Sequence, residues 1–270
     1  MVGFRPLQAP LFVPATRPDR FRKAAESGAD AIIVDLEDAV SPAEKDSARA
    51  GLAHGALDGL PVPVFLRING RGTTWHGSDL GAVLTLPIAG IVLPKCESSG
   101  DLKLLAQRTG REIPVVALVE TAVGITELRY IAQGPNVVQF AFGSVDFALD
   151  IGADHIRDAL AFARSQIVMM SRVCGMPAPL DGVTVAVQDQ PLLQDDCRYS
   201  VSMGFGGKMA IHPAQVATIR TAFSPSEAEL AWARRVLEAE KAAKGAAIQV
   251  DGMMIDLPVC ERARQLLSRA

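Results

Sequence analysis

Short apolar runs, many of them β-branched, recur from Leu11 to His212, and each is followed by a longer stretch with helical spacing. No other feature constrains the fold as strongly. The runs fall at 11–14, 31–37, 64–69, 90–95, 114–120, 137–143, 179–184 and 207–212. Continuous apolar character, in place of strict alternation, marks strands buried on both faces, as parallel strands under helices are. Helix starts sit where they should. Arg17-Pro18-Asp19 precedes a helical stretch at 20–27, and Ser41-Pro42 precedes one at 43–57. Eight β–α units predict an α/β fold, a (β/α)8 TIM barrel over residues 1–222. An open wound sheet is the alternative, but no G-x-G-x-x-G follows the first run.

After the eighth run the pattern changes. Ser224-Pro225-Ser226-Glu227 reads as a helix entry, with an amphipathic stretch to about Lys244. The segment 245–258 contains IQVDGMMIDLP, and 259–270 closes as a further helix. Residues 223–270 are therefore expected to form a C-terminal helical extension with an arm that packs on a neighbouring subunit.

Composition narrows the class of function. With 27 Lys and Arg against 30 Asp and Glu, the net charge is −3, and no basic run is present. That speaks against nucleic acid or an anionic membrane surface as partner. No apolar stretch approaches the roughly 18 residues a membrane span needs. Nor does the N-terminal stretch read as a signal peptide. The cysteines Cys96, Cys174, Cys197 and Cys260 form no C-x-x-C pair, which suits a reduced, cytoplasmic chain. His54, His76, His155 and His212 make neither H-x-H nor H-E-x-x-H, which argues against zinc.

In a barrel the C-terminal ends of the strands face the active site, so polar residues there require a reason. They are Glu37 and Asp38 after the second strand, Arg67 and Asn69 at the third, Lys95 at the fourth, Glu120 at the fifth, Asp146 after the sixth and His212 at the eighth. Glu120 and Asp146 end neighbouring strands, and two such carboxylates with room for water suit Mg2+. Helix capping is the alternative use for either. Arg67 lies in an otherwise apolar strand and must be paired, with Glu37 or Asp38 the natural partners. It serves either as a structural ion pair or to stabilise an oxyanion. Lys95 reads as a salt-bridge or phosphate contact ahead of a Schiff-base lysine. His212 reads as a rim residue bonded to backbone, and Cys96 as packing.

The strings LFVPATRPDRFRKAAESGADAIIVDLEDAV, FLRING, GIVLPKCES, ALVETAVG, FGSVDF, ARSQIV, GFGGKMAIHPAQ and GMMIDLP, in this order, closely resemble the citrate lyase β-subunit-like proteins. These belong to the HpcH/HpaI aldolase and malyl-CoA lyase superfamily. The resemblance runs from about Leu11 to Leu267. It implies that Glu120 and Asp146 are Mg2+ ligands (Mn2+ being possible) and that Arg67 contacts the substrate carbonyl and developing enolate. Glu37 and Asp38 would order metal-bound water and hold that arginine. Backbone N–H groups at Val145 and Asp146 would hold the carboxylate of a 2-oxo acid. Asp256 matches an aspartate that reaches a neighbouring subunit's site as acid or base, and Arg17, Arg20 and Lys23 are candidates for the phosphates of CoA. VPAT stands where many relatives have VPG.

By resemblance the activity is Mg2+-dependent Claisen-type cleavage or condensation of a 3-hydroxyacyl-CoA, such as citramalyl-CoA or malyl-CoA, to a 2-oxo acid and acetyl-CoA. The alternatives are a citrate lyase β subunit cleaving citryl-acyl carrier protein, a metal-dependent aldolase on free hydroxy-oxo acids, and a non-catalytic binding subunit. A homotrimer, or a multiple of trimers, is the assembly the resemblance implies.

Overall fold

A computed structural model describes residues 4–53, 55–243 and 248–267. Residues 1–3, His54, part of the expected arm (244–247) and the last three residues of the expected final helix (268–270) lie outside the described residues. Eight parallel strands run in sequence order. They are β1 (Leu11–Pro14), β2 (Ile32–Asp35), β3 (Val64–Arg67), β4 (Gly90–Leu93), β5 (Val115–Val119), β6 (Val137–Phe142), β7 (Leu180–Asp181) and β8 (Gly207–Lys208). Between them lie α1 (Phe21–Ala25), α2 (Lys45–Gly51), α3 (His76–Thr85), α4 (Ser99–Thr109), α5 (Ala122–Thr126) and α6 (Leu128–Ala132). Then come α7 (Ser144–Asp150), α8 (Arg157–Val173), α9 (Gln190–Met203) and α10 (Pro213–Phe223).

β2, β3, β4 and β5 are buried at every residue, as continuous apolar strands covered on both faces must be. Leu7, Ile33, Phe65, Val92, Val116, Leu118, Leu180 and Met209 belong to one core cluster on the sheet. Past β8 the chain reaches the other edge. Leu11 and Ala210 form a parallel bridge, the Phe12 N–H donates to Ala210 O at 2.9 Å, and the Ala210 N–H donates to Pro10 O at 2.9 Å. Gly207 allows this approach, because a Cβ there would overlap the backbone of Gln8. Gln139, fully buried on β6, accepts from the Leu7 N–H and donates to the carbonyls of Leu7 and Ala178, fixing the segment that enters β1.

Several predicted strands are shorter than expected, two of them sharply. The runs 179–184 and 207–212 yield only Leu180–Asp181 and Gly207–Lys208. Side chains take the backbone groups that a longer β7 would need. The Gly182 N–H donates to Asp181 Oδ1 at 2.8 Å, and Lys208 Nζ donates to Gly182 O at 2.5 Å. The helices predicted at 20–27 and 43–57 also shrink, each opening with a 3-10 turn, at Pro18–Arg20 and Pro42–Glu44. Proline at the first position suits such a start.

The chain divides into two compact units, Met1–Arg220 and Thr221–Ala270. The second consists of the end of α10, α11 (Glu227–Ala243), the hairpin β9 (Ile248–Val250) and β10 (Met253–Ile255), and α12 (Leu257–Leu267). Ser226 and Glu229 cap α11 reciprocally, the Glu229 N–H donating to Ser226 Oγ at 3.2 Å and the Ser226 N–H to Glu229 Oε2 at 2.8 Å. Asp251 and Gly252, both at positive φ, turn the hairpin. Ala233, Val236, Ile255, Cys260 and Ala263 form this unit's own core.

Gly90 opens β4 where a Cβ would meet the Phe65 ring and Pro114 O. Overpacking of this kind costs about 1–3 kcal/mol. Gly90→Ala should lower the urea midpoint accordingly with an unchanged m-value.

Candidate active site

Two adjacent strands begin the site. Asp35 ends β2 and Arg67 ends β3, paired in register, and both are buried. Arg67 Nε donates to Asp35 Oδ1 at 2.7 Å and Nη2 to Oδ2 at 2.6 Å, a bidentate fork. Asp35 also accepts from the N–H groups of Glu37 at 2.8 Å and Ala39 at 3.1 Å, which bends the chain after β2 into the turn that carries Glu37 and Asp38. The guanidinium lies 4.8 Å above the Phe12 ring. Burial works against its charge, but the Asp35 carboxylate beside it, with Glu37 and Asp38, holds its pKa above the ordinary arginine value.

The sequence reading assigned Arg67 to Glu37 or Asp38. Both are near, Glu37 Oε2 at 3.2 Å and Asp38 Oδ2 at 3.3 Å from Nη1, but the partner that fixes the side chain is Asp35. The strand register carries that signal, since Asp35 stands directly opposite Arg67.

Glu37 is buried, while the Asp38 side chain is 54% exposed. Glu37 Oε1 accepts from Lys95 Nζ at 3.1 Å, and its Oε2 stands near Arg67 without a hydrogen bond. Beneath this turn is a buried network that sequence reasoning missed. Lys45 Nζ donates to the carbonyls of Leu36 at 2.8 Å and Glu37 at 2.7 Å and to Asn69 Oδ1 at 2.6 Å. Asn69 donates in turn to Leu36 O and to Asp79, itself paired with Arg49. Burial lowers the Lys45 pKa.

Glu120 follows β5 directly and is 2% exposed. Its Oε1 accepts the Lys95 N–H at 2.8 Å, from a residue in the left-handed region at φ 46°. Gly143 lies against it, and a Cβ there would overlap Glu120 Oε2 and Cβ. Burial, with Glu37 and Asp146 adding like charge, pushes its pKa up to about 8. Asp146 stands in the first turn of α7, and burial followed by the charge of Asp38 raises its pKa too. Glu37 is raised by burial in spite of Arg67.

An acidic group short of positive charge therefore faces Arg67 and Lys95. Among the described residues no set of three His, Cys, Asp or Glu side chains could hold a metal by itself. Two oxygen donors that leave the remaining positions to water or substrate are what Mg2+ accepts. The raised pKa values and the orphaned Glu37 Oε2 fit a cation at Glu120 and Asp146.

The other expected residues lie as follows. Val145 is exposed beside Asp146 in α7. Lys95 is held in its ion pair with Glu37; burial works against its charge, but the charge and hydrogen bond of Glu37, with Glu120 and Asp38, together raise its pKa, contrary to what a Schiff-base amine requires. His212 Nδ1 accepts from the Ala214 N–H at 3.2 Å. Cys96 is buried, and burial raises its thiol well above the ordinary value. Arg17 is forked to Asp19, while Arg20 and Lys23 are exposed. In the second unit, Asp256 precedes α12 and its Oδ1 accepts the Val259 N–H at 3.2 Å, an N-cap contact.

Strand-end carboxylates thus gather around an arginine at the C-terminal edge of a parallel sheet, in a protein of the α/β class. The chain belongs to the HpcH/HpaI aldolase/citrate lyase family, whose pattern matches residues 8–213, and it is an enzyme of the lyase class. A citrate lyase subunit beta-like protein of Mycobacterium tuberculosis is 38% identical over 267 residues, covering 96% of this chain and 94% of that one. A (3S)-malyl-CoA thioesterase of Cereibacter sphaeroides is 34% identical over 274 residues, covering 98% and 95%. The crystal structure of protein CitE from Mycobacterium tuberculosis, in complex with magnesium, acetoacetate and coenzyme A, matches with a TM-score of 0.85 at 36% identity, over 97% of each chain. Among the described residues, no helix is long and apolar enough to cross a membrane.

Glu120 gives a pH signature. Its ordinary pKa of 4.5 rises to about 8 in the fold, so between these values the unfolded chain has lost a proton that the folded chain keeps. Its contribution is complete below 4.5 and is lost as pH rises through 8. Urea midpoints in EDTA should show this decline in the wild type and a flatter profile in Glu120→Gln.

Proposed function

We propose that this chain catalyses Mg2+-dependent Claisen-type cleavage or condensation of a 3-hydroxyacyl-CoA, with citramalyl-CoA and malyl-CoA the leading candidates, on a (β/α)8 barrel completed by the Leu11–Ala210 bridge. The observation that carries this reading is the cluster of buried Glu37 and Glu120 with half-buried Asp146 around an arginine already fixed by Asp35. The CitE structure bound to magnesium, acetoacetate and coenzyme A supports the same ligand chemistry here.

Glu120 and Asp146 would hold Mg2+ (or Mn2+), which supplies Lewis-acid polarisation of the hydroxyl or keto oxygen when bound. Glu37 and Asp38 would order water beside it. Backbone N–H groups at Val145 and Asp146 receive the carboxylate of the 2-oxo acid. In cleavage, Asp256 of a neighbouring chain takes the hydroxyl proton. The carbon–carbon bond then breaks, its electron pair passing to the thioester half as an enolate, while the oxygen becomes the carbonyl of the 2-oxo acid. Arg67 stabilises that negative charge. Because Asp35 has fixed its guanidinium beforehand, little reorganisation accompanies the step. Protonation of the enolate releases acetyl-CoA, and condensation runs the same groups backward.

Asp256 would have to exchange its N-cap bond for this role, and a homotrimer or multiple of trimers would bring it to the site. Arg20 and Lys23 remain candidates for CoA phosphates, whereas Arg17 would have to leave Asp19. A cytoplasmic location accords with four free thiols. Thioester hydrolysis is a second reading, supported by the malyl-CoA thioesterase relative.

A panel of malyl-, citramalyl- and 3-hydroxy-3-methylglutaryl-CoA, assayed with Mg2+ and with EDTA, separates these readings. Release of a keto product without free thiol, lost in EDTA and in Glu120→Ala and Asp146→Ala, is the expected result. Free thiol without that product would favour hydrolysis. Intact CoA esters with cleavage of citryl-acyl carrier protein would favour the citrate lyase subunit. Wild-type rates in either variant would overturn the mechanism.

A further inference from the structure

A second buried charge cluster lies at the ends of β7 and β8, apart from the groups around Arg67. Asp181, 1% exposed, accepts from Arg164 Nε at 3.1 and 3.3 Å, from Ser200 Oγ at 2.5 Å and from the Gly182 N–H at 2.8 Å. Lys208, 2% exposed, reaches Asp181 Oδ2 only at 4.0 Å and spends its hydrogen bond on Gly182 O at 2.5 Å. The guanidinium of Arg164 lies over the rings of Phe142 at 5.4 Å and Tyr199 at 5.6 Å, and its Nη1 has no hydrogen-bond partner.

Two cations and one carboxylate are thus withdrawn from water, where apolar residues of similar volume would serve stability as well or better. What the cluster does secure is a backbone position. Both the N–H and the C=O of Gly182 are held by its members. Gly182 in turn lies flush against Ser144, since a Cβ on it would overlap Ser144 Oγ and Cβ. His155 Nε2 pairs with that same hydroxyl at 2.9 Å. Ser144 is the first residue of α7, and Asp146 stands two residues further in the same turn.

We propose that Lys208, Asp181 and Arg164, acting through Gly182, clamp Ser144 and so set the position of Asp146. They are positioning residues for the metal carboxylate. The effect is mechanical, for the charges that bear most on Asp146 are Asp38, Lys95 and Arg67. This inference rests on the reading of Asp146 as a metal ligand.

Mn2+ binding to the full-length protein, followed by electron paramagnetic resonance without substrate, tests it. Lys208→Met leaves the Asp181–Arg164 pair neutral while freeing the Gly182 carbonyl. Ser144→Ala removes only the clamped hydroxyl. Both should bind Mn2+ roughly 10–100-fold more weakly, as loss of a group that orients a ligand does. Both should still melt cooperatively, and the Mg2+ needed for half-maximal activity should rise in the same proportion. Should Lys208→Met fail to fold, Ser144→Ala decides alone. Asp146→Asn is the control. If it loses Mn2+ while Lys208→Met and Ser144→Ala bind like wild type, the clamp is overturned and the ligand assignment stands. If Asp146→Asn itself binds like wild type, the ligand assignment is overturned, and the inference falls with it.

Discussion

The ion pair between Arg67 and Asp35 is the contact on which the rest of the site depends. Taking a guanidinium and a carboxylate out of water costs several kcal/mol per ion, and only close geometry with further hydrogen bonds offsets it. Both conditions hold. The fork is bidentate at 2.6 and 2.7 Å, and the leftover capacity of Asp35 goes to two backbone N–H groups of the following turn. One carboxylate therefore does two jobs, locking the arginine and shaping the loop that carries Glu37 and Asp38. Lys45 secures that loop from its carbonyl side, so its position is determined from both directions.

Once Asp35 has claimed the arginine, the remaining acids are left short of positive charge. Glu37, Glu120 and Asp146 are all raised above their ordinary values, each first by burial. Lys95 is the second cation, and it is half exposed and drawn toward Glu37. A fold that brings buried carboxylates together without enough side-chain cations either protonates them or recruits a cation from solution. The same deficit that costs stability with rising pH would suit the group to a hard divalent ion.

Periodicity made the strands legible, and because functional residues of parallel α/β proteins follow strand ends, it also singled out Arg67, Glu120 and Asp146 as candidates, which the fold brings to one group. β7 was overextended for a local reason that periodicity cannot register, namely that the side chains of Asp181 and Lys208 capture the backbone of Gly182. Asp35 was missed because IIVD reads as an apolar run with a polar end, although register alone would have set it opposite Arg67. Asn69 stood out as a strand-end polar residue, but Lys45 and Asp79, which join it in a network spanning α2, the segment after β3 and α3, did not, because no local pattern announces contacts of that range. The second compact unit was legible only as a change of pattern after Phe223.

Lys95 shows how the two halves of the site are kept in step. It is a residue with a Cβ at φ 46°, a conformation that costs an L-residue about 1–2 kcal/mol. A lysine stays there only if its surroundings return that energy. Here they do so twice, since its N–H donates to Glu120 and its ammonium to Glu37. In an extended conformation the residue would carry its N–H and side chain along different directions and could not serve both acids. The strain at one backbone position is thus the means by which the carboxylate after β5 and the carboxylate after β2 are held by a single residue, and strained backbone of this kind concentrates where function requires a fixed geometry.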